Sequence, residues 1–514
     1  MTFFVALDYV VLGAVLCISA GIGIYYRFSG GKQKTNQEYL LGGRSQGIVP
    51  VAFSIMASFM SAITLLGTSA EIYSHGFIFV TINFTYIAAI PIITNFYMPV
   101  FFNLGYVSVY EYLEKRFGTA TRLACSLVFI LQGVLYMGVV LYAPALALEA
   151  VSGMSQSSAI LIVGFVCVFY STIGGIKAVI MTDVFQSLLM YAALFCVIGV
   201  SLVNAHGISD IWKFVFYFIG GVFIFISLFG VNQIQVQRYL TTKNLGAASR
   251  SLWLALPLLS FLEVSACLCG LCLLYKYHDC DPIRTGRVKS NDQLMPLFVL
   301  DTMGRYPGLP GLFVAGMFSA ALSTISGAIN SLAAVTLEDY IRPLHSYLTS
   351  DTMEHRKSVL LSKILALAYG CVCIGIAFLS KYLGSVLQAA FTIFGVVGGP
   401  LLAVFTLGVL APLCNEKVRL LIILSLLFFL QKICLFFFFR SEEDSTEFSY
   451  LYRISYMYYV LLGFLTTFLV GIIVSCFTKR NNKLNPALYS PCLFKYMQKK
   501  YEAQLRLVKG LNEY

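Results

Sequence analysis

Between Phe318 and Ser331 the chain reads FSAALSTISGAINS. Six side chains in this stretch carry oxygen: Ser319, Ser323, Thr324, Ser326, Asn330 and Ser331. Most of its apolar residues are small. A second stretch, SIMASFMSAITLLG from Ser54 to Gly67, has the same character. Two kinds of chemistry suit such segments. Small residues let helix backbones approach closely, and hydroxyls bond along or across the helices. Alternatively, neutral oxygens ligate a hard cation, which prefers oxygen donors. Backbone carbonyls freed at a helix break would supply part of that shell, and hydroxyls on a facing helix the rest. A sparse neutral site of this kind binds weakly enough to release its ion.

Two further stretches suggest where such breaks lie. GVNQIQVQRY, Gly230 to Tyr239, ends an apolar run with a polar string that lipid would not tolerate. FGVVGGP, Phe394 to Pro400, sets three glycines and a proline inside an apolar run, which predicts a bend. Asp8, Glu149, Asp183, Glu263 and Lys432 lie in or near apolar segments, where a charge is costly and often functional. Snorkelling to an interface is the alternative for several of them.

The elements that must position these groups are membrane helices. The 514 residues are 59% hydrophobic and only 11% charged, with mean hydropathy +0.81. A soluble domain carries about 25% charged residues. The apolar runs are near the roughly 20 residues that one helical crossing needs, and they lack strand alternation. The chain therefore reads as an all-α polytopic membrane protein. About 13 spans are expected, near 7–26, 48–70, 77–101, 121–149, 156–174, 184–204, 214–236, 250–275, 306–336, 359–380, 383–411, 418–440 and 455–477. The first is read as a crossing rather than a cleavable signal, being too long and lacking a basic leader. The interruptible second and seventh spans are five apart, which suits a five-plus-five repeat. The organisation predicted is residues 1–47 as first helix and loop, 48–204 and 205–411 as two inverted repeats, 412–477 as two peripheral helices, and 478–514 as a basic tail.

Lysine and arginine set the orientation. With the N-terminus outside, the inner loops and tail hold about 25 of them, including Lys115, Arg116, Arg122, Arg238, Lys243 and eight between Lys479 and Lys509. The outer side then holds about nine. An extracellular N-terminus and cytoplasmic C-terminus are expected. The net charge of +11 thus needs no nucleic-acid partner; it reflects inner loops and a tail able to touch anionic lipid. The 14 cysteines mostly lie in apolar runs, CLCGLC (Cys267–Cys272) among them, and read as helix packing. Cys280 alone is placed in an outer loop, so no structural disulfide is expected. The triplet Asn83 to Thr85 falls within a span and reads as a packing group. Five histidines without metal spacing, no P-loop and no nucleophile elbow argue against an enzyme.

Ordered along nearly the whole chain are EYLLGGRS (38–45), SFMSAITLLGTSAEIY (58–73), MPVFFNLGYVSVYEYLEKRFG (98–118), YAPALAL (142–148), STIGGIKAVIMTDVFQ (171–186), GVNQIQVQRYL (230–240), YPGLPGLFVAG (306–316), LSTISGAINSLAAVTLEDYIRP (322–343), GSVLQAAFTIFGVVGGPLL (384–402) and LYRISYMYYVLLGFLTT (451–467). Together these resemble the sodium:solute symporter family, most of all its monocarboxylate, multivitamin and iodide branch. The resemblance implies a LeuT-type five-plus-five inverted repeat and sodium-coupled uptake of a small organic anion, such as a monocarboxylate, biotin or pantothenate, across the plasma membrane. The implied co-transported ion is sodium. By position, the resemblance places it among the carbonyls of Ala57, Met60 and Ala320 and the hydroxyls of Ser323 and Thr324. A second sodium would involve Asp183, Ser326 and Tyr142. The chain departs from the branch at Gly327, where Ser or Thr is expected, and at Ala390, where the iodide type carries Ser. Both changes remove oxygens and put the second ion in doubt. The implied solute pocket holds Phe59, Thr64, Tyr86, Ser227, Phe229 and Gln388, with simple packing as the alternative for each. A non-coupled sensor or sodium leak channel on the same fold is the competing reading. The residues leave the solute and oligomeric state open.

Overall fold

The computed structural model describes residues 4–28, 36–201, 214–351, 353–382, 384–414, 455–478 and 485–511. The expected span at 418–440, with Lys432, lies outside these residues. No strand occurs among the described residues, and one isolated parallel bridge pairs Gln46 with Thr242. Backbone groups in lipid must pair internally, so apolar runs of this length fold as helices.

Among the described residues, ten helices are long and apolar enough to cross a membrane, and two bent pairs bring the number to 12. They are α1 (Ala6–Tyr26), α2 (Ile48–Phe59) bent by 60° against α3 (Thr64–His75), α4 (Phe77–Leu104), α5 (Thr119–Ser152), α6 (Gln156–Ile173) and α7 (Gly175–Val200). There follow α8 (Gly220–Val231) bent by 57° against α9 (Gln233–Tyr239), α10 (Leu245–Lys276), α11 (Leu309–Thr349), α12 (His355–Ser380), α13 (Val386–Leu410) and α14 (Tyr456–Phe477). Each expected span within the described residues has its counterpart. The two bent pairs fall on the second and seventh spans, as the polar interruptions predicted.

Two expectations are corrected. The helix after α6 starts at Gly175 rather than near 184, which sets Asp183 inside α7. Gly175 takes φ 63°, a left-handed conformation suited to glycine, and the Tyr39 ring fills the space where a Cβ would sit. The second concerns breaks only: at 394–400, where a bend is expected, α13 runs unbroken from Val386 to Leu410, with Pro400 inside. Its glycines serve close approach instead. A Cβ on Gly398 would lie 2.6 Å from Ser227 Oγ, and one on Gly399 would lie 2.4 Å from the Val460 carbonyl.

α11 is the most enclosed of the ten unbroken spans, with 94% of its apolar stretch buried, and it packs against α1, α5, α6–α7 and α12. By contrast, α1, α12 and α14 bury only 28% of theirs, so they form the outer wall. The stretch FSAALSTISGAINS therefore runs through the middle of the molecule, out of reach of lipid.

Asp8 is buried, and its carboxylate accepts from the backbone N–H groups of Gly308 (2.9 Å) and Gly311 (3.0 Å). It caps the start of α11, where orphan donors and the helix dipole favour a negative charge. At the far end of α11, Arg122 donates from Nε and Nη2 to Asp339 (2.9 and 2.6 Å) and from Nη1 to Glu114. This network joins α5, α11 and the short helix Tyr110–Phe117.

Candidate ion and solute site

Each bent pair breaks for a local reason. Met60 leaves the helical region (φ −75°, ψ 95°), and its N–H closes the last turn on Met56. Ser61 then restarts the chain: its Oγ accepts from Ile63 N–H and its carbonyl from Thr64 N–H. No backbone N–H among the described residues is bonded to the carbonyls of Ala57 and Met60 across this break. Tyr136 on α5 packs on Phe394 with ring centroids 4.4 Å apart. In the second pair, Asn232 is extended (φ −75°, ψ 128°) and its Oδ1 accepts from Ile234 N–H at 2.9 Å, an N-cap for α9.

Across from the first break, the α11 hydroxyls divide by partner. Ser323 Oγ donates to Asp183 Oδ1 at 2.5 Å. Ser54 Oγ, on α2, donates to Asp183 Oδ2 at 2.5 Å. Thr324 Oγ1 donates to the Ala320 carbonyl at 3.1 Å. Ser326 Oγ donates to the Ser323 carbonyl, and Asn330 Nδ2 to the Ser326 carbonyl. Ser331 Oγ donates to Gln237 Oε1 at 2.8 Å. Ser319 Oγ is buried without a partner among the described residues. Ala57, Met60, Ala320, Ser323 and Thr324 are all buried, and Asp183 ties α2 to α11 beside them. A hydroxyl that donates to a carboxylate keeps its lone pairs for a cation.

Tyr142, the third member of the second-ion group, lies near Gln156, Asp292 and Glu149. The sequence reading missed Arg238. Counted there as an inner-loop charge, it is fully buried in α9. Its Nη2 lies 3.4 Å from Asp183 Oδ2, its Nε donates to Ser54 Oγ at 2.9 Å, and its Nη1 to the Ile234 carbonyl at 3.0 Å. The only signal was its place two residues after Gln235–Val236 in a string that had to be buried.

The glutamines of that string act as struts. Gln233 accepts from Val109 N–H and donates to the Val107 carbonyl. Gln235 donates to Ser58 Oγ, and Gln237 to the Leu40 carbonyl. Each satisfied polar group fixes α9 against a different element, as buried polar groups must.

Of the solute candidates, three share one aromatic cluster. Phe59 lies 5.2 Å from Phe229, centroid to centroid. Phe225, not singled out from sequence, joins them: it lies 5.3 Å from Phe59 and 4.2 Å from Tyr86. Tyr86 Oη is buried without a hydrogen-bond partner among the described residues. Ser227 Oγ instead donates to the Gly398 carbonyl at 2.9 Å and braces α8 on α13. Thr64 and Gln388 lie outside the ring cluster and are only partly buried. A Cβ on Gly67 would sit 2.7 Å from Leu387 Cβ, so α3 and α13 touch at the turn holding Gln388. Glu263, on α10, is buried and accepts from Thr68 Oγ1 at 3.0 Å, on the wall behind Tyr86.

Two broken helices facing an enclosed polar helix define a membrane transporter of the LeuT type. The fold matches that of a Na+-coupled sialic acid symporter in a substrate-bound outward-open state, with TM-score 0.77 at 24% identity over 93% of this chain and 99% of that one. The model of the sodium:solute symporter family matches residues 39–216 and 197–424, and the chain belongs to that family. A Drosophila melanogaster protein bearing the name of a sodium-dependent multivitamin transporter is 49% identical over 521 residues, 91% of this chain and 86% of that one. The human sodium-coupled monocarboxylate transporter 1 is 46% identical over 435 residues, 80% of this chain and 70% of that one.

Proposed function

We propose that the protein is a sodium-coupled symporter that imports a small organic anion, a monocarboxylate or a vitamin such as biotin or pantothenate, by alternating access. The observation that carries the reading is the break between α2 and α3 opposite Ser323 and Thr324, in a chain so similar to sodium-coupled carriers of such solutes. Sodium sits between the carbonyls of Ala57, Met60 and Ala320 and the hydroxyls of Ser323 and Thr324. These neutral oxygens suit a hard monovalent cation that must later be released. Helix polarity supports the division of charge. The negative C-terminal end of α2 faces the cation, and the positive N-terminal end of α3 is free to face the carboxylate of a solute. The rings of Phe59, Phe225, Phe229 and Tyr86 supply apolar surface for its carbon skeleton, with Thr64, Ser227 and Gln388 as the polar rim.

Coupling follows from the bridge that the ion makes. Sodium links a broken helix to α11, so it binds tightly only in the state where the two are together, and it biases the molecule toward that state. The inverted repeats, residues 48–204 and 205–411, would rock against each other around the site. We place the carrier in the plasma membrane with its N-terminus outside and C-terminus inside, from the lysine and arginine bias. The relatives give no support to a leak channel or sensor.

The test is uptake of radiolabelled lactate, nicotinate, biotin, pantothenate, iodide and glucose, with sodium or choline outside. Sodium-dependent accumulation of at least one organic anion is expected; sodium-independent uptake of every solute would overturn the reading. Ser323→Ala with Thr324→Ala should raise the half-saturating sodium concentration by roughly tenfold, the effect of about 1.4 kcal/mol. An unchanged value would refute the ligand assignment.

A further inference from the structure

We infer that Glu263 and Tyr86 form a subsite that reads the far end of the solute, and that it selects monocarboxylates roughly 10 Å long whose distal end carries N–H or O–H donors. This rests on the function proposed above and deepens it by naming the solute class. Glu263 is buried midway along α10, and no ion pair reaches it among the described residues. Thr68 Oγ1 donates to its Oε1 at 3.0 Å. A carboxyl group has further acceptor capacity in either protonation state. Burying such a group costs free energy unless it is hydrogen-bonded. Its place is held firmly. α3 and α10 run side by side in the same sense: Thr68 meets Glu263, Ser69 Oγ donates to the Ala266 carbonyl at 3.2 Å, and a Cβ on Gly270 would lie 2.5 Å from Ile72 Cβ.

The aromatic cluster connects this acid to the helix break. Phe59 is the last residue of α2. Its ring lies 5.3 Å from Phe225 between centroids, and Phe225 lies 4.2 Å from Tyr86. Tyr86 in turn lies near Glu263 and near Cys267, one turn on along α10. The rings thus form one apolar face, with the α2–α3 break at one end and Glu263 at the other, just past Tyr86. The buried Tyr86 Oη, which has no hydrogen-bond partner among the described residues, is a second polar group at the acid end. Thr68 stands about two turns beyond the break, roughly 10 Å at the usual helical rise. A solute of that length, with its carboxylate at the break, brings its distal end beside Glu263. A two- or three-carbon acid falls short. A site built to hydrogen-bond a donor rejects the analogue that lacks it. Ureido N–H groups and terminal hydroxyls both qualify.

Solute preference tests it. In proteoliposomes with sodium outside, initial uptake is measured for biotin, biotin methylated on its ureido nitrogens, 7-hydroxyheptanoate and octanoate. The last two differ by O–H against CH3 at the far end. Wild type should favour biotin over its methylated form, and 7-hydroxyheptanoate over octanoate, by about tenfold or more in KM. Glu263→Leu should collapse both preferences. Glu263→Gln, which keeps an acceptor oxygen, should retain part of them. A purely structural role for Glu263 would move all the KM values together and leave their ratios as in wild type, and that result would overturn the inference. So would a wild type that takes the methylated and donor-free solutes as well as their partners, which decides the matter even if no variant folds. Sodium-dependent uptake confined to two- and three-carbon acids would overturn it while leaving the symporter reading intact. Sodium-dependent accumulation of no organic anion would remove both.

Discussion

At Asp292 a single carboxyl shows what burial does outside the spans. It lies in the turn Asn291–Gln293, and its Oδ2 accepts from the Val386 N–H at 3.1 Å, at the start of α13. Burial pushes its pKa up to about 6, partly offset by that backbone donor. The folded state thus holds the proton more tightly than the unfolded chain, whose value is 3.8. Stability from this group is complete below the unfolded value and is lost as pH rises through about 6. Purified protein should therefore lose thermal stability between about pH 4 and 6 by an amount that Asp292→Asn abolishes. The whole effect is at most roughly 3 kcal/mol. Equal pH slopes in the two proteins would exclude Asp292 as the source. Sequence singled out neither this residue nor Phe225. An aspartate in a polar loop carries no mark of burial, and one phenylalanine among 42 carries no mark of the site.

At the scale of the element, the breaks matter most. That α2–α3 and α8–α9 are interrupted was legible from their polar strings, because lipid forbids unpaired backbone and only enclosed segments tolerate such residues. The glycines of α13 had a second physical meaning. Glycine marks both a flexible backbone and a close contact, and only the neighbours Ser227, Tyr459 and Val460 distinguish them. Asn232 holds α9 to its angle, so Asn232→Ala should cost about 1 kcal/mol of stability, the usual value of an N-cap. It should also weaken solute uptake, because Gln233, Gln235, Gln237 and Arg238 all ride on α9. A variant with wild-type melting and uptake would show that the cap is dispensable. Denaturation in detergent, together with uptake in cells, reads both.

For the whole molecule, orientation is the open quantity that charge bias addresses. Cys280, in the loop after α10, and Cys492, in the C-terminal helix, are both exposed. A membrane-impermeant maleimide should label Cys280 on intact cells and Cys492 only after permeabilisation. The reverse pattern would invert the proposed topology. The bias itself was counted too generously. Arg238 belongs to the core, and Arg122 is spent on Asp339 and Glu114 rather than standing free in a loop. Removing these two from the inner side leaves its excess intact, since the loops and tail supply the rest.

Composition and run length by themselves determined a helical membrane protein, the approximate place of each described span, and the two segments that had to be interrupted. These follow from one local constraint, the cost of unpaired polar groups in lipid, which acts residue by residue along the chain. The ordered motifs carried the family. Only the tertiary structure decided which hydroxyls of FSAALSTISGAINS brace the helix and which meet Asp183. It alone brought Arg238 from one end of the chain's midpoint into the gap left by Gly327, 89 residues on. Pairings between distant helices depend on how the bundle closes, and neither partner's sequence neighbourhood carries a record of the other.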